Sequence, residues 1–267
     1  MHEEVLSKYN SMTVGEMSST SIENCIRYSN PIHKELSMTF NFHHLKVDYP
    51  NGEKWALGEL DFLKLKQILS TWQIDMQKGG GWNALFWCNH DQPRIVSRYG
   101  NDGRYHQKSA KMLATTIHML QGTPFIYQGE EFGMTNPKFQ HIGQYRDIET
   151  LNHYSLLQAE GKSEEEVLAI LQEKSRDNSR TPVQWNSKRN AGFTKGTPWI
   201  SVADNYSRIN AENALKDPKS IFYHYQKLIQ LRKNYDIITN GEYRLYDEQH
   251  PQLFVYERVL EDERLLV

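Results

Sequence analysis

The sequence predicts an α/β protein in which parallel strands alternate with helices. Over residues 11–131, short runs typical of strands take turns with amphipathic stretches typical of helices, and this order recurs four times. Several of the strands end abruptly in polar side chains. Such alternation indicates either a doubly wound sheet or a (β/α)8 barrel, and both folds place their chemistry at the carboxyl ends of the strands.

The first predicted strand, 11–15, ends on a carboxylate, that of Glu16. A helix is expected over 18–28, because Thr20 and Glu23 have the spacing of a capping box at its start.

A strand at 35–42, with alternating apolar residues, precedes a helix at 61–76, whose apolar residues lie three and four apart. The next strand, 84–88, is apolar enough to be buried on both faces. It ends in the polar tripeptide Asn-His-Asp at 89–91, and a proline soon afterwards prevents the strand from continuing. The polar tripeptide therefore marks a candidate site.

A helix over 107–120 and a strand over 123–128 complete the alternation of strands and helices. The pattern then lapses over 134–216, apart from one polar helix at 163–174. Long excursions in a compact domain usually form functional rims or lids, so this stretch is expected at the edge of the site.

The last helix is expected at 217–232, with Asp217 as its cap and Pro218 at its first position. The residues after it follow a strand pattern. We therefore divide the chain into an α/β domain, 1–237, and the start of a small β domain, 238–267, inside which the sequence ends.

Composition excludes several classes of partner. The 31 basic and 33 acidic residues give a net charge of −2, so neither nucleic acid nor an acidic membrane is indicated. No apolar run approaches the roughly 20 residues of a membrane span. Cys25 and Cys88 lie far apart and are expected to be two reduced thiols. The pattern is typical of a cytoplasmic protein.

Two carboxylates, Glu16 and Asp91, each end a predicted parallel strand and could face one pocket. Paired carboxylates at such a rim suit acid/base chemistry on an acetal. Position alone favours the alternative of helix caps or solvated loop charges, since loop carboxylates are mostly exposed. His90 could donate to a sugar hydroxyl, although a lone histidine is more often structural. A metal site that adds His43 and His44 is disfavoured, because adjacent strand residues face opposite sides.

Four motifs stand in order along the chain: Thr-Val-Gly-Glu at 13–16, Asn-His-Asp-Gln-Pro-Arg at 89–94, Gly-Thr-Pro to Gln-Gly-Glu-Glu over 122–131, and Arg-Thr-Pro-Val-Gln-Trp at 180–185. Together they resemble the α-amylase family of retaining glycoside hydrolases, in its oligo-1,6-glucosidase-like branch. Further stretches resemble the members that act on trehalose 6-phosphate, a phosphorylated α-1,1-linked disaccharide; these are 16–20, 39–49 and 84–88.

The resemblance implies the second half of a (β/α)8 TIM barrel, strands five to eight, followed by the start of a C-terminal β-sandwich. Glu16, ending strand five, would be the general acid/base. Asp91, ending strand seven, would stabilise the transition state with help from His90. Arg180 would lie near the leaving-group sugar. No metal or cofactor is expected in this chain.

The resemblance also implies a nucleophilic aspartate at the end of strand four, followed by a helix that precedes Glu16. Too few residues stand before Glu16 to hold them. We therefore expect the chain to be a fragment of a protein about twice as long, to lack the nucleophile and to be inactive alone. Its expected partner is the N-terminal half of the same barrel, where relatives that bind structural calcium would hold it.

The predicted activity is hydrolysis of trehalose 6-phosphate to glucose and glucose 6-phosphate. Family members with unphosphorylated substrates typically have an acidic residue after the strand at 35–42, where this chain has the basic run 43–46. A phosphate requires such a cation, so Lys46, with His44 or Lys54, is the expected ligand.

Two alternatives remain open. One is an oligo-1,6- or α-1,4-glucosidase that acts on unphosphorylated oligosaccharides. The other is a non-catalytic relative that serves as an ancillary binding domain, which predicts that the carboxylates are lost. Glu16 and Asp91 are both present.

Overall fold

The computed structural model describes residues 2–267 and contains two sheets. The first is parallel, with strand order β1-β2-β3-β4, and the second is antiparallel, with order β5-β6-β7. The strands are β1 Val14–Met17, β2 Met38–Asn41, β3 Asn83–Leu85, β4 Thr123–Pro124, β5 Glu242–Tyr246, β6 Val255–Leu260 and β7 Glu263–Leu266. The parallel sheet confirms the predicted α/β class.

The first four helices connect the parallel strands, the next three lie in the excursion 134–216, and the last two precede the antiparallel sheet. In chain order, the helices are α1 Ile22–Ser29, α2 Phe62–Lys78, α3 Ile95–Arg98, α4 His106–His118, α5 Ile148–Ala159, α6 Glu164–Lys174, α7 Ala211–Lys216, α8 Ile221–Asn234 and α9 Ile237–Asn240. Short 3-10 segments at His43–Leu45, Glu130–Phe132 and Arg176–Ser179 contribute residues to the site and its surroundings.

The strand register places Glu16 beside Phe40, and Phe40 beside Ala84. Neighbouring residues of a strand face opposite sides. Met17 packs against the cluster of Cys25, Trp72 and Met76 on the helix side, so Glu16 faces away from the helices. In a barrel this is the inner face, where Phe40 packs edge-on against two further phenylalanine rings.

The core lies between the parallel sheet and helices α2, α4 and α8. Tyr243 of β5 and Tyr256 of β6 belong to the same core cluster as Leu85 of β3, so the two sheets share buried contacts. The domain boundary at 237/238 stays a prediction.

The long excursion 134–216 has a core built around α5 and α6, to which Trp55 from the loop before α2 also contributes. The sequence predicted α6 but missed α5, which begins at an Asp147 cap and has a weak apolar stripe. The excursion is therefore a packed structure at the rim.

Two predicted helix starts were wrong. Helix α1 is capped by Ser21, whose side chain accepts the N–H of Asn24 at 3.4 Å, in place of the box expected from Thr20 and Glu23. Helix α8 has Ser220 at its cap position, so the expected cap and proline at 217–218 lie in the preceding turn.

The strands are shorter than their apolar runs. Hydrogen-bonded pairing of β3 ends at Leu85, although Phe86, Trp87 and Cys88 remain buried. The Trp87 indole donates instead to the carbonyl of Leu113 at 2.7 Å. The buried segment therefore extends beyond the hydrogen-bonded pairs of β3, as far as the polar tripeptide at 89–91.

Candidate active site

The exposed Glu16 carboxylate lies in a cleft of about 230 Å³ at the end of the parallel sheet. His90 lines the same cleft, so the structure brings together two residues that are 74 positions apart in the chain (90 − 16). The remaining walls are mostly apolar and are formed by Phe40, Phe86, Cys88, Asn89, Phe125, Ile126 and Tyr127. An apolar cleft with few polar groups is typical of a small-molecule site.

Asp91 lies beside this cleft in a tight turn. The Asn89 side-chain oxygen accepts the Asp91 N–H at 2.8 Å, which fixes the turn after β3. The Asp91 side chain is 32% exposed, and its Oδ2 lies 3.6 Å from the His90 Nε2. One carboxylate oxygen therefore faces His90, while the other is held by arginine.

Arg180 holds this turn at two points. Its Nη2 donates to Asp91 Oδ1 at 2.6 Å, and its Nε donates to the His90 carbonyl at 2.7 Å. A guanidinium that binds both a side chain and the adjacent backbone fixes orientation as well as charge.

A second arginine, Arg176, was missed by the sequence analysis. Its Nη1 lies 3.5 Å from Asp91 Oδ1, and its Nη2 donates to Asp147 Oδ1 at 2.8 Å. Arg180 Nη1 also reaches that Asp147 oxygen, at 3.3 Å. The two arginines stand four residues apart on one tight segment, and this spacing could have revealed the pair.

Hydrogen bonds within the arginine cluster shift the pKa values of its members. Burial alone would lower the pKa of Arg176, but the hydrogen bond to Asp147 outweighs burial and raises it. Burial would likewise raise the pKa of Asp147, and its hydrogen bonds to Arg176 and Thr150 lower it instead. Asp91 therefore faces two guanidinium groups held by a buried carboxylate.

Lys54 is linked to this cluster through Glu149. Its Nζ donates to both oxygens of Glu149, at 2.8 and 2.9 Å, and lies 4.8 Å from the centre of the Trp55 ring. Glu149 in turn lies 3.0 Å from Arg176. The Lys54 ammonium is therefore already paired with a carboxylate.

Lys46 is exposed and lies over the loop that follows Glu16. Its Nζ donates to the Ser18 carbonyl at 2.9 Å and to the Ser19 hydroxyl at 3.1 Å. Ser18 stands two residues after Glu16, so the ammonium is held close to the end of β1.

The expectation that His44 binds phosphate was wrong for this structure. The side chain is buried, with Nε2 2.8 Å from the Phe86 carbonyl, and burial lowers its pKa to about 4. A neutral, buried imidazole cannot meet an anion in the cleft. His43 contacts a different place, the Thr20 carbonyl, at 3.1 Å. Across residues 2–267, no three His, Cys, Asp or Glu side chains are grouped as metal ligands would be.

With this geometry in place, comparison with known proteins identifies the family. The profile of the alpha-amylase catalytic domain matches residues 1–241. The chain belongs to the alpha-amylase family. This confirms the resemblance inferred from the four motifs.

Within the alpha-amylase family, the chain is 67% identical to trehalose-6-phosphate hydrolase of Bacillus subtilis and 53% identical to oligo-1,6-glucosidase of Halalkalibacterium halodurans. Each match covers 100% of this chain, and 48% and 47% of the respective relative. The chain thus spans about half the length of the curated relatives it matches.

Solved structures of the alpha-amylase family agree with this alignment. The crystal structure of Bacillus licheniformis trehalose-6-phosphate hydrolase superposes with a TM-score of 0.98 at 70% identity, covering 99% of this chain and 48% of that one. The parallel sheet therefore corresponds to the C-terminal half of an alpha-amylase-family TIM barrel.

A buried cluster of one carboxylate and two cations connects two loops of the site. Asp48 accepts from Arg98 Nη2 at 2.7 Å and from Lys174 Nζ at 2.9 Å. Burial would raise the pKa of Asp48, but its hydrogen bonds to Arg98 and Lys174 lower it. Arg98 also donates to Gln92 at 2.8 Å, so the cluster ties the loop of Lys46 to the turn of Asp91.

Among residues 2–267, no helix is both long enough and apolar enough to span a bilayer.

Proposed function

We propose that the protein carrying this chain is a retaining α-glucosidase that hydrolyses trehalose 6-phosphate to glucose and glucose 6-phosphate. One observation carries the proposal: the ammonium of Lys46 is bonded to Ser18 and Ser19, two and three residues after Glu16. A cation held on the loop that follows the proposed acid suits a substrate whose leaving sugar bears a phosphate. The 67% identical relative is a trehalose-6-phosphate hydrolase, which supports the same substrate.

Glu16 is proposed as the general acid/base. As the acid it protonates the oxygen that joins the two sugars, so that the phosphorylated sugar leaves as a neutral alcohol at that position. As a carboxylate in the second step, it takes a proton from the water that attacks the sugar carbon. Its exposed position in a mostly apolar cleft leaves it accessible to both the glycosidic oxygen and the attacking water.

Asp91 is proposed to stabilise the positive charge that develops on the sugar ring, and to accept from ring hydroxyls. Arg180 holds Oδ1, which leaves Oδ2 directed to the cleft side near His90. His90 then donates to a neighbouring hydroxyl. Arg180 is a positioning residue in this scheme, because it acts through Asp91.

A retaining mechanism also requires a nucleophilic carboxylate. We assign it to the part of the barrel that lies outside the span of this chain, in the half of the family's length that the matched relatives have in addition. The 267-residue chain by itself is then expected to be inactive, and the N-terminal half of the barrel is its obligatory partner.

Lys46 is proposed as the phosphate ligand. Lys54 is a weaker choice because Glu149 already neutralises it.

We also propose that the enzyme is cytoplasmic, since Cys25 and Cys88 are both buried free thiols, which agrees with a reducing compartment.

A substrate panel tests the proposal. The full protein is incubated with trehalose 6-phosphate, trehalose and isomaltose, and released glucose is measured. The proposal predicts strong preference for trehalose 6-phosphate. Preference for isomaltose would instead establish the second candidate, an oligo-1,6-glucosidase, which the 53% identical relative favours. Absence of turnover on all three substrates would favour the non-catalytic alternative.

A further inference from the structure

Arg94 is a buried arginine that stands three residues after Asp91 (94 − 91). Its side chain is buried, with the residue 1% exposed, and among residues 2–267 no carboxylate forms an ion pair with it. A buried charge without a carboxylate partner is costly unless other acceptors satisfy its donors. Charge pairing therefore does not explain why an arginine stands at this position.

The Arg94 side chain donates to two backbone carbonyls from separate parts of the chain. Its Nη1 donates to the Gln128 carbonyl, and its Nη2 donates to the Ser179 carbonyl at 3.1 Å. Gln128 follows β4, and Ser179 ends the 3-10 segment Arg176–Ser179. A planar guanidinium can reach both carbonyls at once, whereas the single ammonium of a lysine could not replace both bonds.

Arg94 and Arg180 connect the same two segments in opposite directions. Arg180 reaches from its own segment to the side chain of Asp91 in the turn after β3. Arg94 reaches back from that turn to the carbonyl of Ser179, the residue directly before Arg180. These contacts close a ring, so a shift of Ser179 would move Arg180 relative to Asp91.

A second donor reaches the same Ser179 carbonyl. The Tyr127 hydroxyl donates to it at 3.2 Å, and Arg94 Cζ lies 5.2 Å from the centre of the Tyr127 ring. A carbonyl oxygen has two lone pairs and can accept both bonds. The carbonyl is therefore fixed from two directions, by an arginine and by a tyrosine.

Asn136 ties the main chain of Arg94 to the segment that carries Arg180. Its Oδ1 accepts the Arg94 N–H at 2.9 Å, and its Nδ2 donates to the Gln172 carbonyl at 3.0 Å. The Asn178 side chain donates to that same carbonyl at 2.9 Å. Both sides of the ring are thus anchored at one residue of α6.

We propose that Arg94 is a positioning residue for Asp91 and acts through Arg180. Together with Tyr127 it holds the Ser179 carbonyl, and this carbonyl sets where the next residue begins. The inference rests on the proposed function, in which Asp91 stabilises the transition state. Because Arg94 does not line the cleft of the described chain, its effect on the reaction depends on Arg180.

The test is a double-mutant cycle in the full protein, with Arg94→Lys and Arg180→Lys made singly and together. On trehalose 6-phosphate, Arg94→Lys alone should lower kcat by about 10-fold, with a smaller change in KM, because Asp91 acts in the transition state. In the Arg180→Lys background, the same change should lower kcat by less than about 2-fold. An equal loss in both backgrounds would overturn the proposal, because Arg94 would then act independently of Arg180.

Two further variants separate positioning from stability. Arg258→Lys changes another buried arginine that binds a carbonyl, that of Gly241, and should lower Tm without changing kcat. Tyr127→Phe removes one hydroxyl and should lower kcat by about 3-fold, but not in the Arg180→Lys background. It tests the role of the Ser179 carbonyl even if Arg94→Lys fails to fold, and an unchanged kcat in Tyr127→Phe would count against the proposal.

Hydrogen exchange of the amides at 175–181 distinguishes a failure of this inference from a failure of the proposed function. These amides should exchange faster in Arg94→Lys than in Arg258→Lys, whichever sugar the enzyme hydrolyses. A parent that prefers isomaltose would refute the proposed substrate, and the cycle would then be measured with isomaltose. Unchanged exchange at 175–181 in Arg94→Lys would overturn the positioning role by itself.

Discussion

The guanidinium of Arg180 binds Asp91 and His90 at once, through Nη2 at 2.6 Å from Asp91 Oδ1 and Nε at 2.7 Å from the His90 carbonyl. The turn after β3 is therefore held in one orientation by a residue 89 positions further along the chain (180 − 91). A lysine would keep the charge but could not reproduce both bonds, because its ammonium is a single point.

Arg180→Lys is expected to lower kcat/KM of the full enzyme for trehalose 6-phosphate by about 10-fold to 100-fold, the effect of losing one charged hydrogen bond. Steady-state kinetics measure it. Arg189→Lys, at an exposed position of the excursion, is the matched control and should be neutral. An Arg180→Lys enzyme as active as the parent would show that Asp91 does not depend on this contact.

Lys46→Ala is expected to raise KM for trehalose 6-phosphate by about 10-fold or more, because the phosphate loses its ion pair. KM for an unphosphorylated aryl α-glucoside should change little. Lys64→Ala, at an exposed position of α2, serves as the control. Lys46 also bonds the loop at 18–19, so equal effects on both substrates would reveal a purely structural role.

Local patterns predicted the fold class and marked Glu16 and Asp91 as candidates, and the family resemblance added Arg180. The strand and helix rhythm depends on neighbours in sequence, and the end of a parallel strand is a local event. The α5 helix was missed because its apolar stripe is weak. The strands proved shorter than their apolar runs, because apolar residues beyond the last hydrogen-bonded pair remain buried.

The rest of the site depends on contacts between distant positions. Lys54 is neutralised by Glu149, 95 residues away, and no local sequence pattern predicts that pair. His44 and Lys46 stand in the same basic run, yet one is buried against Phe86 and the other is exposed. Tertiary packing alone decides which of the two can reach a ligand.

Glu130 gives the protein a pH-dependent weakness. It is 6% exposed and accepts the Tyr225 hydroxyl at 2.8 Å, and burial raises its pKa to about 7. A raised folded-state pKa contributes stability below the unfolded value of 4.5, and this contribution is lost as pH rises through about 7.

Glu130→Gln keeps the hydrogen bond to Tyr225 and removes the charge. Between pH 5 and pH 8, the variant should gain on the order of 2–3 kcal/mol in free energy of unfolding relative to the parent. Urea unfolding at both pH values measures it, with the exposed Glu165→Gln as control. The same difference from the parent at pH 5 and pH 8 would contradict the assignment.

The buried cluster of Asp48, Arg98 and Lys174 should be costly to break. Asp48→Asn leaves two buried cations without their carboxylate and is expected to lower the free energy of unfolding by about 3–5 kcal/mol. Urea unfolding tests it against Glu212→Gln, which breaks an exposed pair with Lys216 and should have no measurable effect. A small loss in Asp48→Asn would mean that water reaches the cluster.

The most direct test is the rate at which the full protein releases glucose from trehalose 6-phosphate, measured for the parent and for Glu16→Gln. Ready turnover by the parent and at least a roughly 100-fold loss in the variant are expected, because the general acid/base is removed. Added azide, which needs no base to attack, should partly restore release of the aryl alcohol from an activated aryl glucoside, with glucosyl azide in place of glucose as the sugar product. Undiminished turnover by Glu16→Gln would show that Glu16 is not the general acid/base.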